Sequence, residues 1–207
     1  MQIFLDTCDV CAVAKQQTTG LIEGVTTSRS RIIRAGRRPR DVYHELITMG
    51  IPHVSAEIMG EATTIVREAH DLINEFENKL VIKVPCTRDG LVACRELKKE
   101  GQHVNVTLVF SAAQSILVAK TGADYLSIPV GLIDSNSIAG LEVVRSVTAL
   151  CANAPTKVIA DNIHDVYKVT RAFYNGADIV SMPPEIFESM YDHVLTRDVL
   201  HEVLDVG

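Results

Sequence analysis

The sequence contains no tryptophan, and aromatic residues make up only 5% of it. Proteins that bind single-stranded nucleic acid stack bases on aromatic side chains and follow the phosphates with basic ones. Here 26 acidic residues outnumber 20 basic residues, which gives a net charge of −6. The composition therefore argues against a nucleic acid partner and against electrostatic binding to an anionic membrane surface.

Long apolar runs are also missing. No run reaches the roughly 18 residues that a membrane span requires. The N-terminus lacks the charged-then-apolar order of a signal peptide. We therefore expect a cytoplasmic protein without a membrane partner. With 207 residues, 47% of them apolar, the chain is long enough to form one domain with a substantial core.

The five cysteines are too few, and odd in number, for the dense disulfide framework of a small secreted domain. Cys8 and Cys11 form a Cys-x-x-Cys pair at the start of a predicted helix. A metal site of this kind would require a second pair, and the sequence has none. We interpret the two cysteines as small helix residues, and a redox or metal pair is the alternative.

Short segments rich in Val, Ile and Leu recur along the chain, and a longer amphipathic stretch follows each. Such strands are typical of a parallel sheet covered on both faces. The predicted strands are Gln2–Leu5, Glu23–Val25, His53–Ala56, Leu80–Val84, Val104–Leu108, Tyr125–Pro129, Val158–Ala160 and Ile179–Met182. Glycines stand where the preceding helices should end, at Gly20, Gly36, Gly50, Gly101, Gly122 and Gly176.

An internal repeat supports this alternation. The segment GADYLSIP at 122–129 is echoed by GADIVSMP at 176–183, with a glycine, a strand and a Ser-x-Pro exit in the same order. Eight strand–helix repeats predict an α/β protein, a single (β/α)₈ barrel of the TIM type over residues 1–207. A doubly wound open sheet is the alternative, although the glycine fingerprint of a Rossmann fold is absent.

Polar side chains collect at the carboxyl ends of the predicted strands, where a (β/α)₈ barrel places its active site. They are Asp6, Thr26, Glu57, Lys83, Asn105, Thr107, Ser127 and Asn162. Lys83 lies within the apolar run LVIKVP, where a lysine is costly unless it faces a polar lumen or a partner. Desolvation lowers the pKa of such an amine and lets it attack a carbonyl. The alternative is a structural ion pair with Asp6 or Glu57.

Asp6 and Glu57 are separate carboxylates on different predicted strands. Schiff-base chemistry needs one group to carry protons during dehydration and another to take the hydroxyl proton during C–C cleavage. If the protein does not form a Schiff base, the two carboxylates are interpreted as helix N-caps or as hydrogen-bond acceptors in the barrel lumen. Asn105 and Thr107 share one face of their strand by period-two spacing, and could hold a water or a substrate hydroxyl or simply fill the barrel interior.

Several ordered motifs resemble the transaldolase family, and most closely its small subfamily, which includes the fructose-6-phosphate aldolases. The resemblance covers nearly the whole chain. The motifs are FLDT at 4–7, GVTT at 24–27, SAE at 55–57, IKVPCT at 82–87 and NVTLVFS at 105–111.

The resemblance implies a class I mechanism without a metal or any other cofactor. Lys83 would form the Schiff base with the C2 carbonyl of a ketose, and Asp6 would manage the substrate hydroxyl during cleavage. Glu57 with Thr107 would relay protons through a water. Transaldolases carry Glu at this place and the fructose-6-phosphate aldolases usually carry Gln, so Glu57 favours transfer of a dihydroxyacetone unit over its release.

The resemblance also implies the substrate contacts and the assembly. Members of the subfamily build pentamers or decamers, so we expect a homo-oligomer whose C-terminal helix, at about 195–205, reaches a neighbouring subunit. The predicted substrate-binding residues, all for a sugar or sugar phosphate, are Thr26, Ser28, Arg31, Asn105, Ser127, Asn162 and His164.

The departures from the family pattern concern the phosphate. Ser28 replaces a sugar-binding Asn, and Leu132 and His164 replace two arginines that bind phosphate. Losing two bidentate donors predicts that the usual phosphate pocket is absent or rebuilt. Arg29 and Arg31 could rebuild an anion site or be solvated loop charges. Alternatively, the enzyme handles neutral or short sugars.

Two other functions remain open from the sequence. One is a non-catalytic, sugar-binding homologue, and the other is a barrel isomerase that uses Glu57 as its base. A basic run around Gly36 could steer anionic substrates, although a solvated turn is the preferred interpretation. The run consists of Arg34, Arg37, Arg38 and Arg40.

Overall fold

Each predicted apolar segment forms a β-strand. The computed structural model describes residues 1–205, so positions 206–207 of the predicted domain lie outside the described residues. The strands are β1 (Gln2–Asp6), β2 (Gly24–Thr26), β3 (Val54–Glu57), β4 (Leu80–Pro85), β5 (Val104–Thr107), β6 (Tyr125–Pro129), β7 (Lys157–Asp161) and β8 (Ile179–Met182).

Helices connect every pair of consecutive strands. Two helices, instead of one, lie between β2 and β3 and between β6 and β7, and two more follow β8. The helices are α1 (Val10–Gln17), α2 (Arg29–Arg34), α3 (Pro39–Thr48), α4 (Ala62–Glu75), α5 (Arg88–Lys99), α6 (Ala112–Thr121), α7 (Val130–Ser135), α8 (Gly140–Cys151), α9 (Val166–Tyr174), α10 (Pro184–Ser189) and α11 (Val194–Asp205).

The eight strands form one closed parallel barrel in which each strand pairs with the next along the chain. β8 returns to β1, with Gln2 opposite Ile179 and Leu5 opposite Met182. The (β/α)₈ prediction is confirmed, and the open, doubly wound sheet is excluded. The predicted C-terminal helix is α11.

The strand ends differ slightly from the prediction. Asp6, Thr26 and Glu57 belong to their strands, because the backbone ladder continues past the last apolar side chain; Asp6, for example, is in register with Thr26. β5 ends at Thr107 rather than at Leu108, whose φ of +60° is incompatible with a strand. The polar residues are therefore held by the sheet itself and not by a flexible loop.

The six glycines predicted to end helices all adopt positive φ angles. These are Gly20 (+70°), Gly36 (+73°), Gly50 (+77°), Gly101 (+81°), Gly122 (+79°) and Gly176 (+93°). A glycine reaches this left-handed region without steric penalty, so it stops a helix and turns the chain towards the next strand.

Aromatic and apolar side chains fill the amino-terminal end of the barrel. The ring of Phe4 lies 4.5 Å from that of His53, and His53 lies 4.8 Å from Tyr125. Phe4 also packs with Ile159 and Ile179 inside the barrel. Gly24 makes room for this layer, since a Cβ there would lie 2.7 Å from the Phe4 ring. The lumen is thus closed below the polar residues.

The buried His53 predicts a pH-dependent stability. Burial, assisted by the charge of Lys83, lowers the pKa of His53 to about 3. The unfolded chain therefore takes up this proton first, so the stabilisation is complete above about pH 6.5 and is lost as the pH falls from 6.5 towards 3. Between pH 6.5 and 5 we expect a loss of about 2 kcal/mol from this group.

Urea unfolding at several pH values tests this expectation. The His53→Asn variant should show a correspondingly flatter pH dependence below pH 6.5, whereas the same change at the exposed His44 should keep the wild-type slope. Equal slopes in the wild-type protein and His53→Asn would contradict the assignment.

The predicted basic run lies around the turn between α2 and α3, and three of its four arginines pair with nearby acids. Arg37 pairs with Glu45, Arg38 with Asp41 and Arg40 with Glu75. These local pairs neutralise most of the positive charge of the run.

Candidate active site

Side chains from non-adjacent strands of the barrel meet in its lumen. Lys83 on β4 contacts Asp161 on β7, and Thr26 on β2 contacts Ser181 on β8. β4 and β7 lie three strands apart, so the first contact crosses the lumen, whereas β2 and β8 both flank β1 and the second contact spans that strand. Because all the strands run in one direction, the polar residues at their carboxyl ends converge on one face of the barrel.

Lys83 forms a buried ion pair. Its Nζ lies 3.3 Å from Oδ2 of Asp161, and the two side chains are only 7% and 10% exposed. The alternative prediction of an ion pair with Asp6 or Glu57 is wrong in its partner, because the acid that contacts Lys83 is Asp161 on β7. Burying two charges costs desolvation free energy that their attraction hardly recovers. Such a pair is therefore better explained by a chemical function in the lumen than by a gain in stability.

Asp161 is held at both of its carboxylate oxygens. Oδ2 accepts from Lys83, and Oδ1 accepts the backbone amide of Asn162 at 2.9 Å. Asn162 has a φ of +59°, in the left-handed region that Asn tolerates better than most residues. Asp161 was not among the predicted site residues, although its position at the end of a predicted strand was an available signal.

The carboxylate of Asp6 forms a bidentate ion pair with Arg31. Nη1 of Arg31 donates to Oδ1 at 2.6 Å and Nη2 donates to Oδ2 at 3.0 Å, and Nη1 also reaches the Asp6 carbonyl. Burial and the nearby charge of Asp161 raise the pKa of Asp6, while Arg31 and Lys83 oppose that rise. Arg31 is therefore neither a free anion ligand nor a solvated loop charge.

Arg29 is engaged outside the lumen, where its Nη1 lies 2.9 Å from Oε2 of Glu68. The two arginines considered for a rebuilt anion site thus both face carboxylates. They contribute no unpaired positive charge to the mouth of the barrel.

The middle of the lumen is lined by small polar side chains. Thr26 and Ser181 share a hydrogen bond of 2.6 Å, and Ser127 donates to Oδ1 of Asn105 at 3.0 Å. Nδ2 of Asn105 is buried without a partner within the described residues. An unsatisfied buried donor is costly, so this amide is suited to a water or a substrate hydroxyl. Thr107 lies two residues further along the same strand and is also buried.

Glu57 stands in register with Lys83 on the neighbouring strand, but its carboxylate contacts another part of the chain. Oε2 accepts the backbone amide of Arg29 at 3.3 Å. Glu57 also lines a cavity of about 500 Å³ beside α3 and α4, together with Tyr43 and Glu68. The charge of Glu57, after burial, helps to raise the pKa of Tyr43 to about 12.

Ser28 caps α2, with its hydroxyl accepting the Arg31 amide at 3.3 Å. This capping role explains a Ser at this position, since Ser is a favoured N-cap residue. The predicted sugar contact of Ser28 would have to share the same hydroxyl.

Leu132 and His164, the two positions where the resemblance leads us to expect phosphate-binding arginines, lie close together. Gly131 donates its amide to the carbonyl of Asn162 at 3.1 Å, and a Cβ on Gly131 would lie 2.9 Å from the His164 ring. Leu132, which follows Gly131, is 47% exposed. The structure therefore places Leu132 and His164 at one rim of the mouth, and neither supplies a guanidinium there.

Within the described residues, no three His, Cys, Asp or Glu side chains are grouped as metal ligands. None of the helices in residues 1–205 combines the length and apolar composition that crossing a bilayer requires.

The fold and this arrangement define a (β/α)₈ barrel with a lysine–carboxylate centre at the carboxyl ends of its strands. A sequence profile described as transaldolase/fructose-6-phosphate aldolase matches residues 3–206. The chain belongs to this family of enzymes, as the sequence motifs predicted.

Curated relatives agree with the family assignment over nearly their whole length. The chain is 38% identical to a probable transaldolase of Phenylobacterium zucineum, covering 99% of this chain and 95% of the relative. It is 38% identical to a probable transaldolase of Paracoccus denitrificans, covering 98% and 94%. A probable transaldolase of Caulobacter vibrioides is 37% identical, covering 99% and 95%.

Proposed function

We propose that this protein is a cytoplasmic, metal-independent Schiff-base transaldolase. It transfers a dihydroxyacetone unit from a ketose to a small aldehyde. The observation that carries this proposal is the amine of Lys83, which lies in the barrel lumen beside a carboxylate and among hydroxyl and amide groups. Lys83 attacks C2 of the ketose and the resulting imine draws electrons from the C3–C4 bond.

Two further groups complete the chemistry. Asp6 takes the proton of the C4 hydroxyl as the C3–C4 bond breaks and returns it when the new bond forms. Burial and the charge of Asp161 favour the neutral form of Asp6, whereas Arg31 and Lys83 favour the ionised form, so its carboxyl group is suited to exchanging a proton. Glu57 and Thr107 hold the water that carries protons to and from the C2 oxygen.

The lumen supplies the hydroxyl contacts of the sugar. The free Nδ2 of Asn105 donates to one substrate hydroxyl, and the hydroxyls of Ser127, which contacts Asn105, and of Thr26, which contacts Ser181, bind others. Ser28 and Asn162 lie at the rim, at the ends of β2 and β7. Glu57, rather than Gln, favours transfer over release.

Recognition of a phosphate is altered. Arg31 is committed to Asp6 and Arg29 to Glu68, while Leu132 offers no hydrogen bond. Of the residues that the sequence predicts for anion binding, the exposed His164 is the one that remains at this rim without a carboxylate partner within residues 1–205. We therefore propose a donor with a neutral tail, so a phosphorylated ketose gains little over its unphosphorylated counterpart.

Restoring an arginine tests this specificity. Leu132→Arg should raise kcat/KM for fructose 6-phosphate relative to fructose by about 10- to 100-fold, since a hydrogen bond to a charged group contributes roughly 1.5–3 kcal/mol. The matched Leu132→Gln variant adds length without charge and should leave the ratio near that of the wild type. A strong wild-type preference for the phosphorylated sugar would contradict the proposal.

We also propose a homo-oligomer, a pentamer or decamer, assembled through α11. Six apolar side chains of this helix are 52% to 74% exposed, a pattern suited to burial against a neighbour. They are Val194, Leu195, Val199, Leu200, Val203 and Leu204.

Covalent trapping tests the central proposal. Borohydride added with fructose, fructose 6-phosphate or dihydroxyacetone should add to Lys83 the mass of the reduced ketose or of the reduced three-carbon unit left after cleavage, as located by peptide mass spectrometry. The absence of an adduct with all of these ketoses would contradict the Schiff-base mechanism. Solvent exchange of a carbon-bound substrate proton without an adduct would favour the isomerase instead.

A further inference from the structure

Asp161 is the acid that directly contacts the reactive nitrogen among the residues that the structure describes. Its Oδ2 lies 3.3 Å from Nζ of Lys83, across the lumen from β7 to β4. The backbone amide of Asn162 donates to the other oxygen, Oδ1, at 2.9 Å. This hydrogen bond holds the carboxylate with Oδ2 directed towards Lys83.

From this geometry we infer that Asp161 is a further catalytic residue, which accepts the proton that Lys83 must lose before it can attack the ketose. This inference rests on the proposed Schiff-base function and assigns a role inside it. Asp161 acts first on the reacting nitrogen and then on the hydroxyl that leaves C2, whereas Glu57 and Thr107 hold the water that carries a proton between them.

The protons and electrons of the step balance. Asp161 takes one proton from the ammonium, and the freed lone pair bonds to C2 while the carbonyl π pair moves to oxygen. The nitrogen passes a second proton to this oxygen through water, which gives a neutral carbinolamine. Asp161, now a carboxylic acid, protonates the hydroxyl, which leaves as water as the nitrogen forms the C=N bond. The product is an iminium with one N–H beside the regenerated carboxylate.

The placement of Glu57 supports this division of roles. Its carboxylate accepts the amide of Arg29 and lines the cavity beside α3 and α4. Asp6 is held by both Nη atoms of Arg31. Asp161, by contrast, has one oxygen directed at Lys83, so it can take the proton without breaking another side-chain contact.

The rate of imine formation tests the inference. Wild-type protein and Asp161→Asn are mixed with excess fructose or dihydroxyacetone, quenched with borohydride at increasing times, and scored for adduct at Lys83. We expect adduct formation to slow by about 10²- to 10⁴-fold in Asp161→Asn, the range of general acid–base catalysis. A carboxylate that merely held Lys83 as an ammonium would have the opposite effect, and an unchanged or faster rate in the variant would overturn the inference.

Chemical rescue provides a second, independent readout. Asp161→Ala leaves space beside Lys83, so added formate should restore part of the trapping rate, with saturation. Formate should not accelerate Asp71→Ala, the same change at an exposed aspartate on α4. Failure of formate to accelerate a folded Asp161→Ala variant would also count against the inference, and thermal unfolding of each variant verifies the fold.

The wild-type reaction separates this inference from the proposed function. If the wild-type protein forms no adduct, the Schiff-base function itself fails. If it forms the adduct and both Asp161 variants form it equally fast, only the role of Asp161 fails.

Discussion

Lys83→Met is expected to lower turnover by about 10⁴-fold or more and to abolish the borohydride-trapped adduct. Methionine keeps the length and apolar stem of lysine but removes the nucleophile, so no bond to C2 can form. The measurement is the initial rate of transfer from fructose to a small aldehyde, together with the intact mass after reduction. A variant that retained substantial turnover or still gained the ketose mass would show that the reaction does not pass through Lys83.

The variant also leaves Asp161 without its cation. Removing one partner of a buried pair typically costs about 3–5 kcal/mol, so activity must be normalised to the folded fraction. Lys79→Met is the matched control, because the Lys79 side chain is 56% exposed and pairs only with Glu77. It should retain wild-type turnover and the trapped adduct. A non-catalytic binding protein would show no turnover in either form, while Lys83→Met would keep its affinity for the sugar.

The sequence was sufficient to predict the fold because the relevant signals are local. Apolar runs such as LVIKVP identify strands covered on both faces, and glycines such as Gly122 mark helix ends through their φ preference. The ends of the strands were harder to predict from the sequence. Backbone hydrogen bonding extends β1 to Asp6 and β3 to Glu57 although both side chains are polar. Leu108 shows the converse: an apolar residue at a strand end leaves the sheet because of its backbone angle.

The contacts between side chains in the site could not be predicted from local sequence signals. Lys83 and Asp161 are 78 residues apart, and only closure of the barrel brings β4 opposite β7. The pairing of Arg31 with Asp6 likewise depends on how α2 sits over the mouth. The sequence therefore predicted which strand ends carry chemistry, whereas the charges that face one another are a property of the closed lumen.

Asp6→Asn should separate imine formation from carbon–carbon bond cleavage. An amide has nearly the same shape as the carboxylate but cannot accept the hydroxyl proton, so we expect transfer to fall by about 10²- to 10⁴-fold. Adduct trapping at Lys83 should persist, because the attacking amine and Asp161 remain in place. The two readouts, product formation and trapped adduct, are measured on the same samples.

This dissociation distinguishes Asp6 from a residue that only shapes the site. The substitution removes the charged partner of Arg31 as well, but Arg31 lies half-exposed at the rim and can be solvated. A structural disturbance would reduce trapping and transfer together, and Asp71→Asn should reduce neither. Loss of the adduct in a folded Asp6→Asn protein would mean that Asp6 acts before cleavage, while retained transfer would mean that another group takes the hydroxyl proton. A persistent imine that no longer passes on its three-carbon unit is the outcome that assigns the cleavage step to Asp6.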